Sequence, residues 1–160
     1  MRGVIALSVV IVFVTASCSS QTQVLLNTLP VVGAGMALEQ VTVVDESRRS
    51  GHPMDDVLMA LGKSRRDAII VFRSASSGGP SVGAVTVTGV IGADLLIAVV
   101  DNLQSAAVIS RTMTTAAGKD VWLIESRPDH LAAAYSHGDV VYLALSDERL
   151  VVDDLLAVMP

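Results

Sequence analysis

Two side chains stand in patterns that mark nucleophiles. Ser81 lies within Gly79-Pro80-Ser81-Val82-Gly83, a letter-for-letter G-x-S-x-G, the motif in which a strand-to-helix elbow exposes a serine for acyl transfer. Its context points elsewhere. A Ser/Gly-rich loop at 74–81 precedes it and a β-branched, largely period-two segment at 82–90 follows, so the serine enters a strand rather than a helix. A small hydrolase is thus the third choice of function, and it requires Ser81 within hydrogen-bond reach of His52, His130 or His137. These histidines fall in separate segments read as loops, without cysteine partners or H-x-x-x-H spacing. His137 with Asp139 makes a metal pair only if His130 folds beside them, so neither a metal nor a cofactor is expected. Gly33-Ala34-Gly35 opens as a dinucleotide fingerprint does, but Leu38 occupies the third glycine position. Asp94 and Asp101 share a helical face as paired carboxylates would, and as the polar side of any amphipathic helix does.

The second nucleophile is Cys18, the only cysteine. Met1 and Arg2 form a short positive n-region, and residues 4–16 form an apolar stretch of 13 residues, of signal-peptide length and too short to span a bilayer. Small residues then deliver the cysteine in Val14-Thr15-Ala16-Ser17-Cys18, which resembles the bacterial lipobox with Thr15 where leucine is usual. That resemblance implies diacylglyceryl transfer to the Cys18 thiol and cleavage between Ser17 and Cys18. The competing reading is ordinary secretory cleavage near Ala16, which leaves one unpaired thiol in an oxidising compartment, a chemical liability. Two or three acyl chains hold a protein to a membrane where one does so only marginally. The expected location is the cell membrane, lipid-anchored and facing outside the cytoplasm.

Removing residues 1–17 from the 160 leaves 143, enough for one domain with a sizeable core and no disulfide. The chain carries 11 basic and 16 acidic residues, for a net charge of −5 that becomes −6 without Arg2. This balance disfavours nucleic acid and anionic lipid surfaces as partners. Arg48-Arg49 and Arg65-Arg66 read as solvated loop charges, since Asp45, Glu46 and Asp67 lie close by. Aromatic residues are few, and Trp122 is either core or, if exposed near Tyr135 or Tyr142, a contact surface.

The elements that must position these residues follow from periodicity. Residues 18–36 read as the lipidated cysteine with a tether and a Gly-punctuated connection, in which 23–29 form a helical turn or two stopped by Pro30. Residues 37–160 read as one α+β domain. A strand at 41–44 precedes a short helix with Pro53 at its first position, Asp55 and Asp56 in its first turn and Gly62 as its stop. Strands follow at 68–72 and 82–90, then a helix at 94–103 and strands at 108–115 and 120–126 around a turn containing Gly118. A second hairpin spans 131–145, with a helix over Ala132-Ala133-Ala134 as the alternative. Ser146 is expected to cap a terminal helix whose apolar face is Val151, Val152, Leu155, Leu156 and Met159. From 41 to 115 the order is β-α-β-β-α-β. This predicts a ferredoxin-like antiparallel sheet with helices on one face, extended by C-terminal strands and the terminal helix.

The run Ala117-Gly118-Lys119-Asp120-Val121, the run Gly138-Asp139-Val140-Val141-Tyr142-Leu143, the acidic helix ending Val158-Met159-Pro160 and the segment Leu58 to Lys63 with its following strand resemble a group of uncharacterised secreted or lipid-anchored proteins of Actinobacteria and similar bacteria. The resemblance implies secretion and fold, and carries no assigned activity or catalytic residue. With no coherent catalytic set in view, the expectation is a non-enzymatic envelope lipoprotein that binds an envelope protein or a cell-wall partner. The alternative is a carrier of an apolar small ligand or lipid, suggested by 51% hydrophobic composition rich in Val, Leu and Ala.

Overall fold

Runs of consecutive apolar residues that must be buried on two sides at once organise the molecule. The computed structural model describes residues 20–44, 52–76, 79–102, 108–126 and 130–160. Cys18, the proposed cleavage site and the Arg48-Arg49 pair lie outside them. Within them the chain forms α1 (Ser20–Thr28), β1 (Val32–Gly33), β2 (Met36–Ala37), β3 (Gln40–Val44), α2 (Met54–Ala60), β4 (Ala68–Ser74), β5 (Ser81–Val87), α3 (Gly92–Asn102), β6 (Val108–Ala116), β7 (Lys119–Ser126), β8 (His130–His137), β9 (Val140–Ser146) and α4 (Arg149–Val158). Seven strands make one antiparallel sheet in the order β3-β4-β5-β9-β8-β7-β6.

The α+β class and the antiparallel sheet are as expected, whereas the ferredoxin-like topology is not established. In that topology each helix returns the chain to a parallel strand. Here β3 lies antiparallel beside β4, and α3 carries the chain from β5 to the far edge, from which β6 to β9 meander back to close on β5.

Nor do the helices share one face. Leu25 and Leu26 of α1, Leu29 just after it, and Val152, Leu155 and Leu156 of α4 pack with Val71, Val82, Ala84, Ala133, Tyr135 and Tyr142. Met54, Val57 and Leu58 of α2 and Leu95 and Val99 of α3 pack with Ile70, Val85, Ala134, Val141 and Leu143 on the opposite face. The reason is visible in the strands. Central segments such as Ile69-Ile70-Val71-Phe72 and Leu131-Ala132-Ala133-Ala134-Tyr135 are apolar at consecutive positions, and a strand that is apolar on both sides needs a cover on each. Ala132-Ala133-Ala134 is accordingly strand, not helix. Small side chains let α3 and α4 approach a strand already flanked by two neighbours.

Local chemistry sets the element ends. The His52 imidazole Nδ1 accepts the Met54 N–H (3.2 Å) and the His52 N–H donates to Asp55 Oδ2 (3.1 Å), a reciprocal cap that starts α2. Gly62, at φ 65°, ends it as its N–H reaches the Met59 carbonyl (3.0 Å) and the Lys63 N–H the Leu58 carbonyl (2.8 Å). Ala34-Gly35 and Ala117-Gly118 both take positive φ at both positions, the requirement of a two-residue type I′ hairpin turn. Gly33-Ala34-Gly35 is thus a hairpin, and Gly33 is small because a Cβ there would lie 2.6 Å from Leu155 Cδ2. At the C-terminus, α4 starts at Arg149, later than expected. Ser146 instead ends β9, its Oγ accepting the Glu148 N–H at 3.2 Å.

Candidate functional site

The sheet has two poles, each with a cavity. Strands β5 and β9 run in opposite directions, so the start of β5 and the end of β9 meet at one pole and their other ends at the second. At the first pole a cleft of about 440 Å³ opens between the ends of β7, β8 and β9, the start of α4 and the Gly79-Pro80 entry to β5. Its wall is mostly apolar, with Met36, Pro80, Val108, Ile124, Leu131, Ala132, Leu145 and Val151, while Ser126, His130, Ser146, Asp147 and Glu148 supply polar groups. A second cavity of about 460 Å³ at the other pole lies under the first turns of α1, beside Arg66, Asp67, Thr86, Thr88 and Val140. Asp67 there accepts the Ser64 N–H and hydroxyl, both at 2.9 Å, which hold its carboxyl below its usual range.

The polar groups of the first cleft are held by the strand ends. His130 Nδ1 lies 2.6 Å from Asp147 Oδ1, an exposed pair that ties the start of β8 to the segment entering α4. A His–Asp pair is the base and orienter of a hydrolytic triad, but the neighbouring hydroxyls are aimed elsewhere. Ser126 Oγ donates to the His130 carbonyl at 3.4 Å, and Ser146 Oγ faces the Glu148 N–H. Ser81 begins β5 opposite Leu145, itself opposite Ala132. That places the Ser81 backbone roughly 10 Å or more from His130, two strand spacings away. His137 ends the same strand that His130 begins, about 20 Å along it, so the two do not converge with Asp139 on one ion. His52 Nδ1 is committed to the start of α2. Among the described residues no group of three potential metal ligands occurs.

The structure also places the other residues singled out in the sequence. Asp94 and Asp101 both sit on the exposed side of α3. Trp122 is half-buried on the α3 face beside Val100, Ile124 and Ala132. Tyr135 and Tyr142 stack on each other on the opposite face, 5.4 Å between centroids, so they form no surface with Trp122. Arg65 is not a solvated charge. Its guanidinium grips Asp55 through Nε–Oδ1 and Nη2–Oδ2 contacts of 2.6 Å each, with its side chain only 13% exposed.

No single motif announces the cleft, because its walls come from six separate stretches of chain. The nearest sequence signal is the Ser146-Asp147-Glu148 run, which the helix-start reading had absorbed. Compared with known proteins, the chain matches no family model, no curated protein and no solved structure. Among the described residues no helix is long and apolar enough to cross a membrane.

Proposed function

We propose that this protein is a lipid-anchored envelope protein that acts by binding rather than catalysis, with the cleft beside His130 and Asp147 as its binding site. The lipobox-like run ending at Cys18 and the resemblance to secreted or lipid-anchored actinobacterial proteins support the address outside the cytoplasm. The observation that carries the binding reading is the position of the cleft relative to the anchor. Helix α1 starts at Ser20, beside the cavity of the opposite pole. Cys18 lies two residues before it, within about 7 Å of chain. The cleft therefore opens roughly 20 Å along the strands from the anchored end. An apolar wall with Asp147, Glu148 and His130 at its rim suits an apolar group that bears a cationic or hydrogen-donating end, as a side chain or segment of an envelope partner does.

The alternative, a carrier of an apolar small ligand, is favoured by the volume of the cleft, which falls in the range of small-molecule sites. One experiment separates them. A photo-crosslinking amino acid in place of Val151, introduced in intact cells, should yield an adduct with one envelope protein, identified by mass spectrometry. An adduct with a small lipid or metabolite would transfer the assignment to the carrier. Adducts no more frequent than those from exposed Met59, on the far side of the sheet, would reject the cleft as the site. For the anchor, Cys18→Ser should abolish fatty-acid labelling and release the protein from membranes; a cleaved variant still retained on membranes contradicts lipidation.

A further inference from the structure

Strand β6 is an edge that nothing covers among the described residues, and its only guards are one inward-turned arginine and a bulge at its start. Natural sheets blunt long edge strands with lysine, proline, inward charges or brevity. Here Val108–Ala116 runs nine residues with no proline, lysine or acidic residue. Its one charge, Arg111, turns inward over the sheet to the Val100 carbonyl at the end of α3 (2.5 Å). The single irregularity is the bulge between Val108 and Ser110, which leaves residues 110–116 straight.

The hairpin turn determines which backbone groups of that straight segment face outward. Across a two-residue turn the flanking residues Ala116 and Lys119 exchange hydrogen bonds, so Thr114, Thr112 and Ser110 also bond inward to β7. The N–H and C=O groups of Arg111, Met113 and Thr115 are left pointing to the open edge. Met113 is the centre both of these three and of the segment 110–116, and its side chain is 61% exposed.

The geometry points to a homodimer formed by antiparallel pairing of β6 with β6 of a second copy about a two-fold axis at Met113. In that register Met113 meets its own copy, beside Trp122 of each chain, which lies opposite Met113 on β7. The exposed methionine and half-buried tryptophan become one continuous apolar strip. On the other face Thr112 meets Thr114, a favourable cross-strand pair. Arg111 meets Thr115, and the carboxylate of Asp120 beside that threonine stands about 10 Å from the Arg111 strand position, so this pair attracts. An axis at Arg111 would oppose two guanidinium-bearing residues, and one at Thr115 would drive the turns past each other. The two-fold is normal to the sheet, so the α1 and α4 layers of both copies lie on one side. The same rotation reverses the strand direction, so the anchored ends of the two copies point opposite ways along the strands, and both anchors meet one membrane where it runs along the α1 side of the paired sheets.

The register makes the test specific. Residues of an outward-facing, hydrogen-bonded pair lie about 5.5 Å apart between Cα atoms, within disulfide range. In the full chain expressed in its own membrane, Met113→Cys should give a covalent dimer on mild oxidation. Thr115→Cys, whose copies would be about 13 Å apart, should give no more than the parent chain, in which Cys18 sets the background. Sedimentation of the detergent-extracted protein should give twice the chain mass, and Met113→Lys, which opposes two ammonium groups at the axis, should halve it with an unchanged circular dichroism spectrum. If Met113→Lys loses its spectrum, the cysteine pair alone decides. A monomeric parent, or equal crosslinking at 113 and 115, overturns the proposal.

Discussion

Strands β8 and β6 are nearly equal in length and lie two places apart in the same sheet, yet their compositions are the reverse of what burial alone would suggest. The central β8 is built on three alanines, poor strand formers, and is buried from Leu131 to Tyr135. The outer β6 is rich in Thr, Val and Ile, good strand formers, and is mostly exposed. Each strand has what its position lacks. In β8, neighbours on both edges and helices on both faces hold the backbone extended, so side chains need only be small enough to let α3 and α4 in. In β6, one neighbour and, among the described residues, contact with only the end of α3 leave intrinsic propensity to sustain the strand.

The most severe test of this contrast removes part of the cover over β8 and β9. Leu155 of α4 is fully buried against that face, and Leu155→Ala should cost about 2–5 kcal/mol by leaving a cavity that a tightly packed layer cannot close. Thermal or urea unfolding measures it. An unchanged midpoint would remove α4 from the core and leave β8 without the support the comparison assigns to it. Next in size is Ala133→Leu. Ala133 has no exposed surface on the α4 side of β8, so added methylenes there force side chains off their rotamers at about 1–3 kcal/mol. If the larger residue stabilises the fold, alanine at 133 is not a packing requirement.

How much of this could be read from the sequence depends on whether the signal was local. The start of α2 after Pro53 and its stop at Gly62, the Ala117-Gly118 turn, the β8–β9 hairpin and the apolar face of α4 were legible because turn chemistry and periodicity act within a few residues. The placement of helices on both faces was not. It follows from strand order, a property of residues as distant as Val82 and Ala144, which lie opposite each other on β5 and β9. Residues 20–29 show the same limit. Read as part of a tether, they supply Leu25, Leu26 and Leu29 to the core, and only the neighbouring strand β4 makes their apolar side necessary. The cleft was invisible for a related reason. Pro80, Ile124, Leu145 and Val151 have no common spacing and are brought together only by the order of the strands.

A smaller effect sharpens the account of β8. Tyr135 closes the α4 face by donating its hydroxyl to the main-chain oxygen of Pro160 at 2.8 Å, while Lys119 reaches the Leu156 carbonyl at 3.0 Å. Burial, with the neighbouring Tyr142 adding to it, pushes the Tyr135 phenol well above its ordinary value of 10.0. The unfolded chain therefore releases this proton at lower pH than the folded one. Stability is whole below pH 10.0 and falls as pH rises beyond it. Tyr135→Phe should cost about 0.5–1.5 kcal/mol at neutral pH and flatten this alkaline loss. Unfolding midpoints across the alkaline range, followed together with phenolate absorbance, check both; an alkaline limb unchanged in the variant would assign the loss to another group.

The smallest effect is expected at β6, and its size should depend on protein concentration. Met113 touches little within its own chain, so Met113→Ser should move stability by less than about 0.5 kcal/mol in a dilute sample, as exposed substitutions do. At high concentration the outcome differs if β6 pairs with its copy, because association stabilises the folded state by mass action. The parent should then melt at progressively higher temperature as concentration rises, while Met113→Ser melts at nearly one temperature throughout. A matching slope for both would leave β6 an unused edge whose threonines serve only its own extension. A large loss in the dilute variant would show instead that Met113 supports the fold within one chain, and the contrast with β8 would fail at the residue where it is drawn most sharply.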